Sequence, residues 1–408
     1  MAEDRTFGAL LRQFRLAGDL TLPQLAAASG ISDRAISDLE RGVSRNPRAR
    51  TVEALADGLG LGSDDRAALR AAARPVAGLV VASGLPLPRP VLDFTGRSAE
   101  QDRLARWAAD RPSPPVVISG APGIGKTALA VRAARACPAD RYFFIDLHGL
   151  DVAPPDPMTV LRRLLRAAVP GLRAVPGTVA EAAALWHARI REQRCVVILD
   201  NAAAESQIRP ILPPGEGPAV VLITSRRALS GLDGVRRLFL DALPADDAAA
   251  LLAAVIEDHD AASDDDVRRI AQLCGNLPLA LRIAGNRLLS RPGWTPRDLL
   301  GRLVAAERRL DSLVAGDLEL KAAFHLSYRQ TSGRARRVLH RLATTGEPGL
   351  TLARERTAVD ELVELSLVRR RPDGGLEIPE LLRLYAGAEL VHAQRNFMSP
   401  SWCGFPPW

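Results

Sequence analysis

The chain has 408 residues, a formal net charge of +7, 47% hydrophobic residues and 25% charged residues. That balance fits two to three folded domains at about 150 residues each and excludes a disordered or collagen-like chain. No apolar run reaches the ~18 residues a membrane helix needs; the best candidate, Val76 to Leu92, is interrupted by Gly78, Gly84, Arg89 and prolines. Met1-Ala-Glu-Asp-Arg5 carries no basic leader ahead of an apolar segment, and Cys137, Cys195, Cys274 and Cys403 form no C-x-x-C pair. Both features predict a cytoplasmic chain with no disulfide framework, zinc site or membrane contact. Lys126 and Lys321 are the only two lysines among 54 basic residues. The arginine bias reads as overall composition, which makes a retained lysine informative.

Residues 1–75 predict an all-helical module. Phe7, Leu10, Leu11 and Phe14 recur at helical spacing, as do Leu22, Leu25 and Ala26, then Ile31, Ile36 and Leu39. Thr21 and Ser32 stand where N-caps belong, and Gly30 and Gly42 where helices stop. The stretch from Leu20 to Gly42 resembles the helix-turn-helix of phage repressors of the Xre/Cro type. The resemblance implies a first helix ending near Ser29, a turn at Gly30 and a recognition helix over 32–41 that enters a major groove of double-stranded DNA. Ser32, Asp33, Arg34, Ser37 and Asp38 are expected to face outward. Arg34 would meet a guanine edge and Ser37 a base or phosphate. Arg41, Arg45, Arg48 and Arg50 would meet phosphates. Leu22 stands where such repressors carry a phosphate-binding glutamine. With 11 arginines against 10 acids in residues 1–75, the electrostatic attraction for DNA is small. A helical module that binds protein rather than DNA is the alternative.

Residues 76–92, rich in proline and without periodicity, predict a linker. Beyond them apolar runs alternate with amphipathic stretches. Strands are expected at Val116–Ser119, Tyr142–Leu147, Cys195–Leu199, Ala219–Ile223 and Arg237–Leu240. Short continuous apolar runs separated by helices predict an α/β domain over 93–243 with a parallel sheet covered on both faces. A helical domain is expected over 244–316, and a further small domain over 317–390 with a hairpin near Pro372-Asp-Gly-Gly375.

The first strand runs into Gly120-Ala121-Pro122-Gly123-Ile124-Gly125-Lys126-Thr127, a G-x-x-x-x-G-K-T loop that opens a helix. Glycines let backbone N–H groups turn inward around phosphate oxygens, and the helix N-terminus adds the positive end of its dipole. Lys126 would reach the β- and γ-phosphates of ATP, and the Thr127 hydroxyl would ligate Mg²⁺. With 32 glycines, two lysines and 34 serines plus threonines, chance produces this spacing in about one such chain in a thousand. Asp200 ends the apolar run Cys195-Val-Val-Ile-Leu and is the expected second Mg²⁺ residue. Asn201 follows, and an amide cannot accept the proton of an attacking water. Nucleotide binding with at most slow ATP hydrolysis is expected, and no other small-molecule substrate.

Residues 93 to 390 resemble the NB-ARC branch of the STAND ATPases. Phe94-Thr-Gly-Arg97-Ser-Ala-Glu100 is similar to the motif that flanks the adenine. Leu222-Ile-Thr-Ser-Arg226 is similar to the sensor motif whose arginine reads the γ-phosphate. Gly275-Asn-Leu-Pro278-Leu-Ala-Leu281 is similar to the G-x-P motif, which implies Pro278 at the adenine. The resemblance implies a winged helix over 317–390, ATP/ADP switching and self-association in the ATP state. Pro379 stands where a histidine normally locks ADP, and Glu380 where its aspartate stands, so a weakened ADP lock is expected. His148, His187 and His325 are read as structural or surface residues. Residues 391–408 predict an irregular tail, with helix stopping near Gln394. Their aromatic-rich, arginine-free end reads as a truncation ahead of a sensor region, with a peptide whose aromatics dock in a partner's groove as the alternative. Together these features predict a nucleotide-switched DNA-binding transcriptional regulator; the alternative is a signalling or defence switch that recruits protein.

Overall fold

The computed structural model describes residues 7–18, 20–40, 49–73, 84–110, 113–151, 153–214, 217–256, 264–316, 318–345, 355–371 and 375–398. Internal contacts divide the chain into two units, Met1–Ala82 and Ser83–Trp408.

The first unit holds five helices: α1 (Phe7–Ala17), α2 (Leu22–Ser29), α3 (Asp33–Glu40), α4 (Ala49–Gly58) and α5 (Ser63–Ala73). Leu11, Leu25, Ile36, Leu55 and Leu69 are fully buried in its core. Helix α2 starts at a capping box. The Thr21 hydroxyl accepts from the Gln24 N–H, and Gln24 Oε1 accepts from the Thr21 N–H at 2.8 Å. It stops at Gly30, whose φ of 70° lies in the left-handed region that only glycine enters without cost. A bidentate Arg15–Glu40 pair at 2.7 and 2.8 Å ties α1 to the end of α3.

The second unit begins with α6 (Ser98–Ala109), β1 (Val116–Gly120), α7 (Lys126–Ala136), β2 (Arg141–Asp146), α8 (Pro157–Ala168), α9 (Val179–Arg191), β3 (Cys195–Ala202), α10 (Glu205–Ile208), β4 (Val220–Ser225) and β5 (Arg236–Leu240). The five strands form one parallel sheet in the order β2-β3-β4-β1-β5. Successive strand residues point to opposite faces, and the core divides accordingly. Ile118, Ile198 and Leu222 join one cluster, while Val117, Val197, Val221 and Ile223 join another with Phe143, Leu161, Leu164 and Trp186 from β2, α8 and α9. The Trp186 indole stands edge-on to Phe143 at 5.4 Å and donates to the Ile211 carbonyl at 3.0 Å.

The remaining elements are α11 (Ala245–Val255), α12 (Asp264–Leu273), α13 (Pro278–Leu289), α14 (Pro296–Val304), α15 (Ala306–Arg309), a hairpin of β6 (Val314–Ala315) and β7 (Leu318–Glu319), α16 (Leu320–Tyr328), α17 (Gly333–Thr345), α18 (Arg356–Glu364), a hairpin of β8 (Arg369–Arg370) and β9 (Leu376–Glu377), and α19 (Glu380–Met398). Three helices, a two-stranded wing and a closing helix make up the C-terminal region. Its residues Phe324, Val338, Leu362 and Tyr385 share one hydrophobic cluster with the sheet face that carries Ile118 and Leu222.

Four details differ from the sequence reading. Strand β3 runs on to Ala202 through a bulge, because Asn201 takes a φ of 57° and shifts the register. The expected linker is not wholly a spacer. The Leu85 N–H donates to the Tyr142 carbonyl at 3.0 Å, and its own carbonyl accepts from Phe144 at 3.1 Å, so backbone pairing holds this stretch on the edge of β2. The β6–β7 hairpin was not foreseen; two-residue strands carry too little alternation to be read. Finally, α19 continues to Met398 rather than giving way to an irregular tail at 391, since nothing before Pro400 forbids the helix. The tip of the β8–β9 hairpin and residues 399–408 lie outside the described residues.

Candidate nucleotide-binding site

The G-x-x-x-x-G-K-T loop joins β1 to α7. Gly123 and Gly125 take φ values of 76° and 92°, conformations that turn consecutive N–H groups to one side. A Cβ on Gly123 would lie 2.9 Å from Leu279 Cβ, so the loop packs directly on α13. The Leu279 N–H donates to the Gly123 carbonyl at 3.1 Å, and Pro278 occupies the first turn of α13, where its missing N–H costs nothing.

A cavity of about 450 Å³ opens beside the loop. Val91, Phe94, Leu243, Leu251 and Pro278 line it with apolar groups, and Lys126, Thr127, Asp200 and Arg226 line it with polar ones. The Lys126 ammonium donates to the Gly120 and Ala121 carbonyls at 2.8 and 2.9 Å. Burial, with Arg226 close by, pushes its pKa down to about 7 against the opposing pull of Asp200. Burial also lowers Arg226, to about 10. Asp200 is pushed the other way by burial, above the usual carboxylate range, although it accepts from Thr224 at 2.5 Å and from Thr127 at 2.8 Å. The site therefore holds enclosed cations short of an anion and an enclosed carboxylate short of a cation. A polyphosphate with a divalent metal ion complements both.

The residues expected at the nucleotide sort into three groups. Gly123, Ile124, Gly125, Lys126, Thr127, Asp200, Arg226 and Pro278 line the cavity together. Gly120, Ala121 and Pro122 lie in the loop behind it. Arg97 also reaches the cavity wall, but it is 6% exposed and its guanidinium donates to the Asp241 carbonyl at 2.6 Å, the Ile124 carbonyl at 3.2 Å and Glu100 at 2.9 Å. It braces the loop against the end of β5. Arg226 donates to the Ala323 carbonyl and the Ser327 hydroxyl of α16, both at 2.6 Å, so the sensor position is joined to the C-terminal region. Pro379 does not line this cavity. It lines a neighbouring one of about 500 Å³ that shares Ile124, and Glu380 is bound to Arg309 at 2.6 Å.

Four residues in or beside the site escaped the sequence reading. Thr224 bridges Asp200 and the Asn201 N–H, which it accepts at 2.9 Å; the signal was a hydroxyl on the strand beside Asp200. Arg282 and Asp93 pair at 2.8 Å between α13 and the segment carrying Phe94. Glu364 accepts from the Leu229 N–H at 3.1 Å and the Ser230 hydroxyl at 3.0 Å, a second tie between the sheet and the C-terminal region. Among the described residues no group of three or more His, Cys, Asp or Glu is placed to hold a metal ion by itself. No described helix is long and apolar enough to cross a membrane.

In the first unit, Ser32, Asp33 and Arg34 are exposed at the start of α3, and the Ser32 hydroxyl caps it by accepting from Ala35 at 3.3 Å. Ser37 and Asp38, expected to face outward, are half-buried and each has a contact of its own, because an eight-residue helix packed on two neighbours exposes only a narrow strip. Arg41, Arg45 and Arg48 lie outside the described residues. Leu22 packs against the core, and Gln24, two residues on, is used in the α2 cap.

The family described as "Helix-turn-helix domain" matches residues 6–69 and the family described as "AAA ATPase domain" matches residues 93–288. The regulatory protein AfsR of Streptomyces coelicolor is 34% identical over 338 residues, covering 77% of this chain and 34% of that protein. The chain thus spans about a third of the relative's length. A Walker-type ATPase of Pyrococcus abyssi shares the fold at 13% identity, with a TM-score of 0.52 over 75% of this chain and 99% of that one. A STAND protein with a tetratricopeptide-repeat sensor from Pyrococcus horikoshii aligns with a TM-score of 0.40 at 16% identity, over 77% of this chain and 47% of that one. The chain joins an N-terminal helix-turn-helix domain to a P-loop ATPase domain of the AAA type with a helical C-terminal region, and it is homologous to the AfsR regulators over the part of them it spans.

Proposed function

We propose that the chain is a transcriptional regulator whose DNA-binding domain is governed by the nucleotide held in its ATPase domain. The observation that carries this reading is Arg226, which lines the nucleotide cavity and bonds α16 at the same time. Both bonds to α16 leave from Nη1, so a phosphate that draws the guanidinium further into the cavity pulls Nη1 away from the Ala323 carbonyl and Ser327. A nucleotide supplies the anion. Lys126 and the loop amides hold phosphate, and Thr127 and Asp200 hold Mg²⁺. A γ-phosphate, present in ATP and missing in ADP, is then what draws Arg226 away and frees the C-terminal region. The resemblance to STAND ATPases adds self-association in the ATP state, which would supply the second DNA-binding domain that a repressor-type module uses on two half-sites. Asn201 offers no base beside Asp200, so hydrolysis acts as a slow timer. The DNA reading rests on the helix-turn-helix match and on exposed Ser32 and Arg34.

The test measures DNA binding and sedimentation of the full chain loaded with ADP or with a non-hydrolysable ATP analogue. DNA affinity and oligomer size both rise with the ATP analogue if the reading holds. Identical behaviour in the two states refutes the switch, and no salt-dependent DNA binding in either state favours a protein-recruiting module.

A further inference from the structure

Only one of the seven net positive charges lies in residues 1–75, where 11 arginines face 10 acids. A phosphate backbone is held mainly by charge, so a chain that grips DNA with the first unit alone would do so weakly. The surplus lies in the second unit, and three of its arginines gather around one aromatic ring. Trp294, between α13 and α14, has three guanidinium groups around its ring: Arg291 at 4.3 Å, Arg302 at 4.4 Å and Arg287 at 5.7 Å from the centroid.

The indole orients these cations but does not neutralise them. Burial and the charges of Arg291 and Arg302 together push the Arg287 pKa down, which reports the repulsion within the cluster. Arg287 is held by the Ser312 and Val314 carbonyls. Arg291 and Arg302 are exposed and make no ion pair within the described residues. Asp298, the acid that feels Arg302, has its Oδ2 accepting from the Thr295 N–H and hydroxyl at 2.8 and 2.7 Å. Some exposed arginines of the unit are matched by acids, as Arg297 is by Asp266 and Arg370 by Asp360; Arg291 and Arg302 instead share an aromatic support. Leu289 and Val304, at the ends of the same two helices, are 53% and 57% exposed.

We infer that Arg291 and Arg302, oriented by Trp294, form a second DNA-contacting surface that binds the phosphate backbone of duplex DNA without reading its sequence. Two forked guanidinium groups on a fixed aromatic support suit phosphate oxygens, which accept bidentate donors from arginine. The inference rests on the DNA-binding reading above and extends it to the ATPase half of the chain.

The experiment is fluorescence-anisotropy binding of the full chain to a labelled duplex of arbitrary sequence, over a salt series. It compares wild type, Arg291→Ala/Arg302→Ala, Arg291→Lys/Arg302→Lys and Arg34→Ala. Each phosphate contact contributes about 0.9 to the slope of log affinity against log salt. The double alanine variant should therefore lose about 1.8 from the slope and bind about 30-fold more weakly near 0.15 M salt, on every sequence. The double lysine variant should keep most of the slope, since it keeps the charge. An unchanged slope in the alanine variant overturns the inference, as does an equal loss in the lysine variant, which would mark a packing defect around Trp294. Wild type without salt-dependent binding sinks the DNA reading itself. Wild-type binding lost only in Arg34→Ala leaves that reading standing and sinks this surface alone.

Discussion

Ser327→Ala isolates the contact between the sensor position and the C-terminal region. Ser327 is fully buried and its hydroxyl accepts from Arg226 at 2.6 Å. The substitution removes one oxygen and no carbon packing, so no cavity larger than that atom is left. A hydrogen bond from a charged donor contributes about 1.5–3 kcal/mol, and the Ala323 carbonyl still holds Arg226 from the other side. The equilibrium between docked and released C-terminal region should shift about 10- to 150-fold toward release. Hydrogen exchange of the α16–α18 amides should speed by that factor in the ADP-loaded protein. The ratio of ATP to ADP affinity should rise with it, because an Arg226 no longer held by α16 turns to phosphate at less cost. Unchanged exchange together with an unchanged ATP:ADP ratio would refute the claim that this contact holds the C-terminal region in place.

Lys126→Ala should abolish tight ATP binding while leaving circular dichroism and melting behaviour intact, as titration calorimetry would show; undiminished affinity removes the nucleotide assignment. Asn201→Asp should raise the rate of phosphate release, since aspartate tolerates the φ of 57° and adds a base beside Asp200; an equal rate places the base elsewhere. Gly123→Ala should cost about 1–3 kcal/mol of backbone strain and push Leu279 off the loop, weakening nucleotide binding with little change in the helix-turn-helix unit. His340 and His187 both titrate below the ordinary histidine value because burial disfavours their charged forms. Their folded values are depressed, so the stability they contribute is present above pH 6.5 and is lost as the pH falls through the folded values. Melting temperature should drop on moving from pH 7.5 to 5.5, and His340→Gln should shrink that drop.

The phosphate loop and Asp200 were legible because their chemistry demands particular residues at short, fixed spacing, and a lysine is conspicuous in a chain with two of them. The five strands were legible because burial on both faces makes each one a continuous apolar run. What joins the site to the rest was not. Arg226 and Ser327 are 101 residues apart and Arg282 and Asp93 are 189 apart; such pairs leave no periodic trace, and in an arginine-rich sequence each is one charge among many. Arg97 shows the limit from the other direction. Its motif marked it for the nucleotide, whose cavity it does line, but carried no sign of the three acceptors that also make it a brace under the loop. Ser37 was misplaced because helical periodicity assigns a face without saying how wide the exposed strip is.

The pairing of Leu85 with β2 has a consequence for solubility. A five-stranded open sheet has two borders, here β2 and β5, and each offers unsatisfied backbone groups to any strand that drifts past. On β5 the border carries Arg236 and Arg237, the second of which is anchored to the Leu229, Ser230 and Leu232 carbonyls, and charge there discourages stacking with another molecule. On β2 the guard is the Leu85 backbone, held between Tyr142 and Phe144. A fragment begun at Asp93, a natural choice for an isolated ATPase domain, would leave that border bare, and its yield of monomer would suffer even though every nucleotide-binding residue from Phe94 onward was retained.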